Sequence, residues 1–182
     1  MNPPVENTQE TTMFGLRLVF ATVVVGLGVT LSTMTASIVF VSLPTLATSF
    51  SVDISVVQWV VMAYFITVSS LHLSVGRIAD LLGRRAVYQI GFIIFILASV
   101  LSGLSPSIQW LIVARIVQAI GASIIQANGP AILTYIYPPE KRGQAMGYFG
   151  IFGAVGFLIG PLLGGVLLSI ATWPIIFFAL IP

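Results

Sequence analysis

One arginine stands inside a long apolar stretch, and its neighbours suggest a polar passage through a membrane. Arg115 lies within residues 108–135, which hold no other charged side chain. A charge at such depth costs about 2.5–3.5 kcal/mol on insertion scales, so it should face protein or water and have a polar partner. At 100° per residue, Gln118 and Gln126 fall on the same helix face. Either this face lines a cavity, or Arg115 is a structural residue that binds carbonyl groups of neighbouring helices.

A second polar group is the ten-residue segment GRIADLLGRR, which holds four of the twelve charged residues. Asp80 lies four residues before Arg84, so the two side chains can meet on a helical turn. Glycines near both ends permit a tight turn or a close helix approach. The segment is either a surface loop with solvated charges or a gate, in which the acid pairs in only one state of a moving protein. Its key residues are Gly76, Asp80, Gly83, Arg84 and Arg85.

The chain has few residues that could bind a metal or act in catalysis. There is no cysteine, and one histidine and five acidic residues supply neither a metal-ligand set nor a nucleophile–base pair. We therefore expect no enzyme activity, no metal and no cofactor. His72 is interpreted as a partly exposed or hydrogen-bonded residue near the headgroups, with a proton-carrying role as the alternative. Trp59 and Tyr64 are expected near a membrane interface.

These residues must be positioned by membrane-spanning helices. Hydrophobic residues make up 58% of the 182, charged residues only 7%, and the mean hydropathy is +1.10. A soluble domain is nearer a quarter charged, so the composition predicts an all-α, multi-pass membrane bundle rather than a nucleic-acid-binding protein. Pro44 is expected to end the first span. The predicted spans are about 16–43, 56–75, 87–104, 108–135 and 145–168, with a partial sixth at 175–182.

The distribution of basic residues predicts the orientation. Six of the seven basic residues flank the spans on the side of the amino terminus, and none lies in the three opposite loops. Such a bias places that side in the cytoplasm. The bundle is predicted to occupy 14–182 in the cell (inner) membrane, after a disordered cytoplasmic tail at 1–13. The residues after Pro174 are too few to cross a ~30 Å hydrocarbon core, so the chain reads as a fragment or one half of a split protein.

Three motifs in this order resemble the major facilitator superfamily. The spacing from Gly76 to Arg85 is similar to that family's loop between helices 2 and 3, which locks the cytoplasmic side. The run from Leu111 to Ala122 resembles its fourth-helix motif, whose arginine is associated with proton coupling. In the fifth span, small residues let helices pack closely, and the pattern resembles the fifth-helix motif of the exporting, antiporter branch. That pattern comprises Gly156, Gly160, Pro161, Gly164 and Gly165.

Two further stretches resemble the fourteen-span drug:proton antiporters, at 37–44 and 58–64. The resemblance covers about 19–182 and implies the amino-terminal half of a proton-coupled exporter of lipophilic or cationic small molecules. Thr35 occupies the position where this subgroup commonly has an aspartate, and a hydroxyl cannot take that proton-carrying role.

A carrier of this kind needs a second bundle, because its substrate path lies between two halves. The expected partners are membrane lipid, a small-molecule substrate, and either a second copy of the chain or a separate carboxy-terminal half. The alternative is a non-transporting membrane subunit or truncated relative that packs within a larger complex.

Overall fold

The computed structural model describes residues 8–181, with side chains from residue 15 onward except at residue 17. Within this range the chain is all-helical, as predicted. Five helices are long and apolar enough to cross a membrane, which confirms the five full spans that the sequence predicted. The helices are α1 (Thr8–Phe50), α2 (Ile54–Leu82), α3 (Arg84–Gly103), α4 (Ile108–Ile136), α5 (Arg142–Ile170) and α6 (Ile175–Phe178), with a 3-10 turn at Pro139–Lys141.

The first helix is longer than the sequence predicted. The expected tail at 1–13 lies partly outside the described residues, but its residues 8–13 already form the first turns of α1. Pro44 was expected to end the span, yet α1 continues through it to Phe50. A proline removes one backbone donor and weakens a helix locally. Transmembrane helices tolerate this because surrounding helices and hydroxyl side chains re-satisfy the freed backbone groups.

The charged segment predicted as a loop is mostly helical. Helix α2 runs through Gly76 and Asp80 to Leu82, and α3 begins only two residues later. The turn is made by Gly83 alone, at φ 94° and ψ 118°. Glycine reaches positive φ without the steric penalty of a Cβ atom, so one residue suffices to reverse the chain. Continued helix also satisfies backbone groups close to the membrane, where an open loop would leave them unpaired.

Three helix pairings build the bundle: α1 packs along α5, and α4 packs along both α2 and α3. Helix α5 remains mostly uncovered on its other side, where Leu158 and Leu162 are about 70% exposed. Exposing such an apolar surface to water would be unfavourable, but lipid or a further bundle can cover it. The uncovered apolar face is therefore consistent with a membrane environment.

Helix α6 packs at one end of the bundle only. Its Ile176 and Phe177 are buried in the core near the start of α4, and Phe178 lies against Gly103 at the end of α3. At the opposite end α6 covers nothing. There an apolar cavity of about 1020 Å³ opens between α1, α3 and α4.

Candidate functional site

Arg115 lies at the centre of a hydrogen-bond network that joins three helices. Its side chain is completely buried. The Nε atom donates to the Val60 carbonyl of α2 at 3.2 Å, and Nη1 donates to the Gln118 amide oxygen at 2.6 Å. Toward α1, Nη1 donates to the Thr35 hydroxyl at 3.2 Å and Nη2 to the Thr35 carbonyl at 3.4 Å. One side chain thus ties the first third of α4 to both α1 and α2. We call these residues, together with Tyr64, the arginine network.

Aromatic rings complete the surroundings of the guanidinium. Its Cζ atom lies 4.2 Å from the ring centroid of Tyr64 and 6.0 Å from that of Phe177. A cation over an aromatic face is attracted by the ring quadrupole, most strongly where water is excluded. The Tyr64 hydroxyl donates to the Ser32 carbonyl at 2.9 Å, which holds the ring in place. Tyr64 is therefore a core residue, not the interface residue that the sequence suggested, whereas Trp59 is 51% exposed.

The predicted helix face is correct, but the expected opening beside Arg115 is not seen. Gln118 is also fully buried, and its Nε2 donates to the Ser99 hydroxyl at 2.7 Å. Gln126 is only partly buried and donates to the Ser32 hydroxyl at 3.3 Å. In this conformation the guanidinium is enclosed by the helices of its own bundle. Oxygen atoms of these helices accept the hydrogen bonds that its N–H groups donate. A role for these residues in a transport pathway stays a prediction.

The acidic and basic residues at the α2–α3 turn form one ion pair. Arg84 Nη2 lies 2.8 Å from Asp80 Oδ1, and the two side chains are 41% and 57% exposed. This is the i, i+4 contact predicted from the sequence, and it bridges the break at Gly83. Arg85 is exposed, and a Cβ atom added at Gly76 would meet no atom within 4 Å. The pair links the end of α2 to the start of α3. Among the described residues it includes no side chain of another helix, so its action as a gate stays a prediction.

A cavity of about 420 Å³ with several polar side chains in its lining adjoins this ion pair between α2 and α4. Its lining includes Asp80, Arg84, His72 and Asn128. Asn128 is 1% exposed and donates from Nδ2 to the Ile124 carbonyl at 2.9 Å. Sequence reasoning missed Asn128 because it points away from the Arg115 face of α4. The sequence did contain a signal, because an amide side chain inside an apolar span costs free energy unless it is hydrogen-bonded.

The glycine motif of α5 divides into packed and unpacked residues. Gly156, Gly160 and Gly164 are buried against α1, and we call these three the glycine seam. At Gly164 an added Cβ atom would lie 2.9 Å from a side-chain carbon of α1. Gly165 would meet nothing within 4 Å, so its predicted packing role is not supported. Pro161 is partly buried, and α5 continues through it as one helix.

Comparison with known proteins gives consistent matches. A model of the Major Facilitator Superfamily matches residues 25–182. The riboflavin transporter RibZ of Clostridioides difficile (strain 630) is 38% identical over 160 residues, covering 88% of this chain and 35% of that protein. The multidrug resistance protein Stp of Mycobacterium tuberculosis (strain CDC 1551 / Oshkosh) is 36% identical over 158 residues, covering 86% and 29%.

A solved structure shares the fold. It is a bacterial homolog of the human lysosomal transporter Spinster in an inward-facing, occupied conformation. The TM-score is 0.75 at 25% identity, and the match covers 83% of this chain and 33% of that one. The chain spans about a third of the length of the relatives it matches.

Proposed function

The chain belongs to the major facilitator superfamily, and from that premise we propose that it forms the amino-terminal bundle of an exporter of lipophilic small molecules. The observation that carries the proposal is the arginine network. Polar side chains with a buried charge lie between α1, α2 and α4 inside an otherwise apolar bundle. Intramembrane ionisable residues of this kind mark substrate or ion pathways.

Export as the direction of transport is supported by the relatives and by α5. Stp is named a multidrug resistance protein, and a Bacillus subtilis (strain 168) relative, 32% identical over 161 residues and matched over 34% of its length, is the methylenomycin A resistance protein. RibZ is named a riboflavin transporter, so the relatives together support a small-molecule substrate without fixing one compound. The glycine seam carries the pattern that resembles the exporting branch.

Proton exchange is part of the proposal. The residues proposed for the substrate and proton pathway are Arg115, Gln118, Gln126 and Thr35. Thr35 stands where an acid is common in the fourteen-span drug:proton antiporters, the subgroup we propose for this chain. The spans themselves hold no acidic residue near their middle. His72, Arg77, Asp80 and Arg84 line the cavity between α2 and α4. We therefore propose Asp80, paired with Arg84, as the cytoplasmic gate beside the pathway.

A second bundle is required for transport, because the substrate path of such carriers lies between two halves. Helix α2 and the outer face of α5 leave apolar side chains uncovered, and Gly76 offers an open surface for close helix approach. Six basic residues flank the spans at the amino-terminal end. On the positive-inside rule we place that end in the cytoplasm, with the bundle in the inner membrane.

Dye efflux from cells that express the chain tests this function. Arg115→Ala is expected to abolish efflux of a lipophilic tracer while the protein still reaches the membrane. Arg142→Ala is the matched control, because that arginine is exposed at the α4–α5 connection and donates only to the Thr134 carbonyl. Unchanged efflux in Arg115→Ala would remove the arginine from the mechanism. No efflux above empty vector in the unmodified chain would count against a transporter formed by this chain alone.

A second candidate is a non-transporting membrane subunit. The observation that favours it is the complete burial of Arg115 within its own bundle, where it acts as a tie between helices. Particle mass after mild detergent extraction separates the two candidates. A discrete particle of two bundles supports transport, and a larger assembly of unrelated proteins supports the accessory role.

A further inference from the structure

The charge of Arg115 has no counter-ion in the described part of the chain. All five acidic residues of the sequence lie near the amino terminus or at helix ends: Glu6, Glu10, Asp53, Asp80 and Glu140. Among the described residues the one ion pair is that of Asp80 and Arg84 at the membrane surface. Arg115 instead binds carbonyl oxygens, a hydroxyl and an amide oxygen, with an aromatic ring against its face.

Neutral partners solvate a charge but do not cancel it. Hydrogen bonds and the Tyr64 ring lower the cost of burial, yet the bundle still carries one net positive charge in its interior. Salt screens exposed charges over about 8 Å at physiological ionic strength but acts weakly on buried ones. At an effective dielectric of about 20, a unit charge about 10 Å away contributes enough energy to change a binding constant roughly tenfold or more. The field of Arg115 therefore extends beyond its own contacts.

We propose that this uncompensated charge makes the bundle select neutral and anionic compounds over cationic ones. The inference rests on the proposed function and narrows it, because the sequence alone had suggested lipophilic or cationic substrates. Arg115 is a specificity-determining residue in this view. Because its side chain is enclosed, Arg115 acts on a substrate through its electrostatic field. Thr35 is the position at which an acidic residue would balance the charge.

Three fluorescent probes with one aromatic core test the proposal. They carry a carboxylate, a hydroxymethyl or a trimethylammonium group at the same position. Binding to the full chain in phosphatidylcholine nanodiscs is measured by fluorescence polarisation, with empty nanodiscs subtracted. We expect the cation to bind about tenfold or more weaker than the neutral probe, and the anion at least as tightly. The order should persist in 0.5 M salt, which removes contributions from surface arginines.

Thr35→Asp is the decisive variant. Thr35 Oγ1 lies 3.2 Å from Arg115 Nη1, so a carboxylate at this position balances the charge directly. The difference between cationic and anionic probes should then fall to less than about threefold. Thr35→Asn has the same shape without the charge, and it should keep the order of the three probes whatever its effect on absolute affinity.

The outcomes separate the inference from the function beneath it. Tighter binding of the cation than of the neutral probe overturns the inference, and so does an unchanged order in a folded Thr35→Asp protein. Binding of the neutral probe in either case still supports a transport bundle. No binding of any probe by this bundle overturns the inference, while dye efflux tests the proposed function separately. Should Thr35→Asp fail to fold, the order of the three probes on the unmodified chain decides the matter.

Discussion

Gly160→Ala tests the packing of α5 on α1, because the added atom would meet the Ser37 hydroxyl and the backbone of α1. A Cβ atom at Gly160 would lie 2.9 Å from the Met34 carbonyl oxygen and 3.0 Å from the Ile38 nitrogen, both in α1. Ordinary contacts of a Cβ atom begin near 3.4 Å, so α1 and α5 must separate by about half an ångström. Overpacking of this kind costs typically 1–3 kcal/mol. The gain in helix propensity from glycine to alanine, about 1 kcal/mol at most, offsets only part of that cost.

Gly165→Ala provides the matched control, five residues along the same helix. An added Cβ atom there meets nothing within 4 Å, so the variant should be neutral or stabilised by up to about 1 kcal/mol. Reversible unfolding in mixed micelles, followed by circular dichroism, gives the free energies of both variants. Gly160→Ala should unfold at lower denaturant than the native chain, and Gly165→Ala should not. Equal stabilities would show that α5 does not pack on α1 in the register described.

Two further variants test the arginine network and the turn. Tyr64→Phe removes the donor to the Ser32 carbonyl but keeps the ring over Arg115, so unfolding in the same micelles should show a loss of about 1 kcal/mol; a loss above about 3 kcal/mol would mean that the ring itself had moved. Asp80→Asn should change stability by less than about 1 kcal/mol, because its ion pair is largely exposed. The same variant should change the labelling of single cysteines placed on the cytoplasmic side, a clean readout in a cysteine-free chain; equal labelling would leave Asp80 with a topological role only.

Helix identity and the face of α4 were predictable because both depend on local patterns. Long apolar runs fix the number of spans, since a helix needs about 20 residues to cross a bilayer. The 3.6-residue turn places Gln118 beside Arg115, and in the structure a hydrogen bond of 2.6 Å joins them. The Asp80–Arg84 pair follows from the same spacing. None of these inferences required knowledge of how the helices are arranged.

What the sequence did not reveal depends on distances between helices. The partners of Arg115 include the Val60 and Thr35 carbonyls, and backbone oxygens leave no mark in a sequence. Tyr64 looked like an interface residue because its role as a stacking partner exists only once α2 meets α4. The glycines were also ambiguous: Gly160 and Gly165 belong to one motif, but only their position relative to α1 decides which is packed.

The glycine seam and the arginine network constrain the same segment of α1 from opposite sides. Met34 lies against Gly160 of α5, while the next residue, Thr35, accepts a hydrogen bond from Arg115 of α4. That bond is 3.2 Å long, and a contact of 3.6 Å no longer counts as one. A shift of α1 by about half an ångström at the seam is thus enough to break it, if the shift is directed away from α4. Close packing at glycine therefore does more than stabilise the bundle, because it fixes the position of Thr35 and, through it, the surroundings of the buried charge.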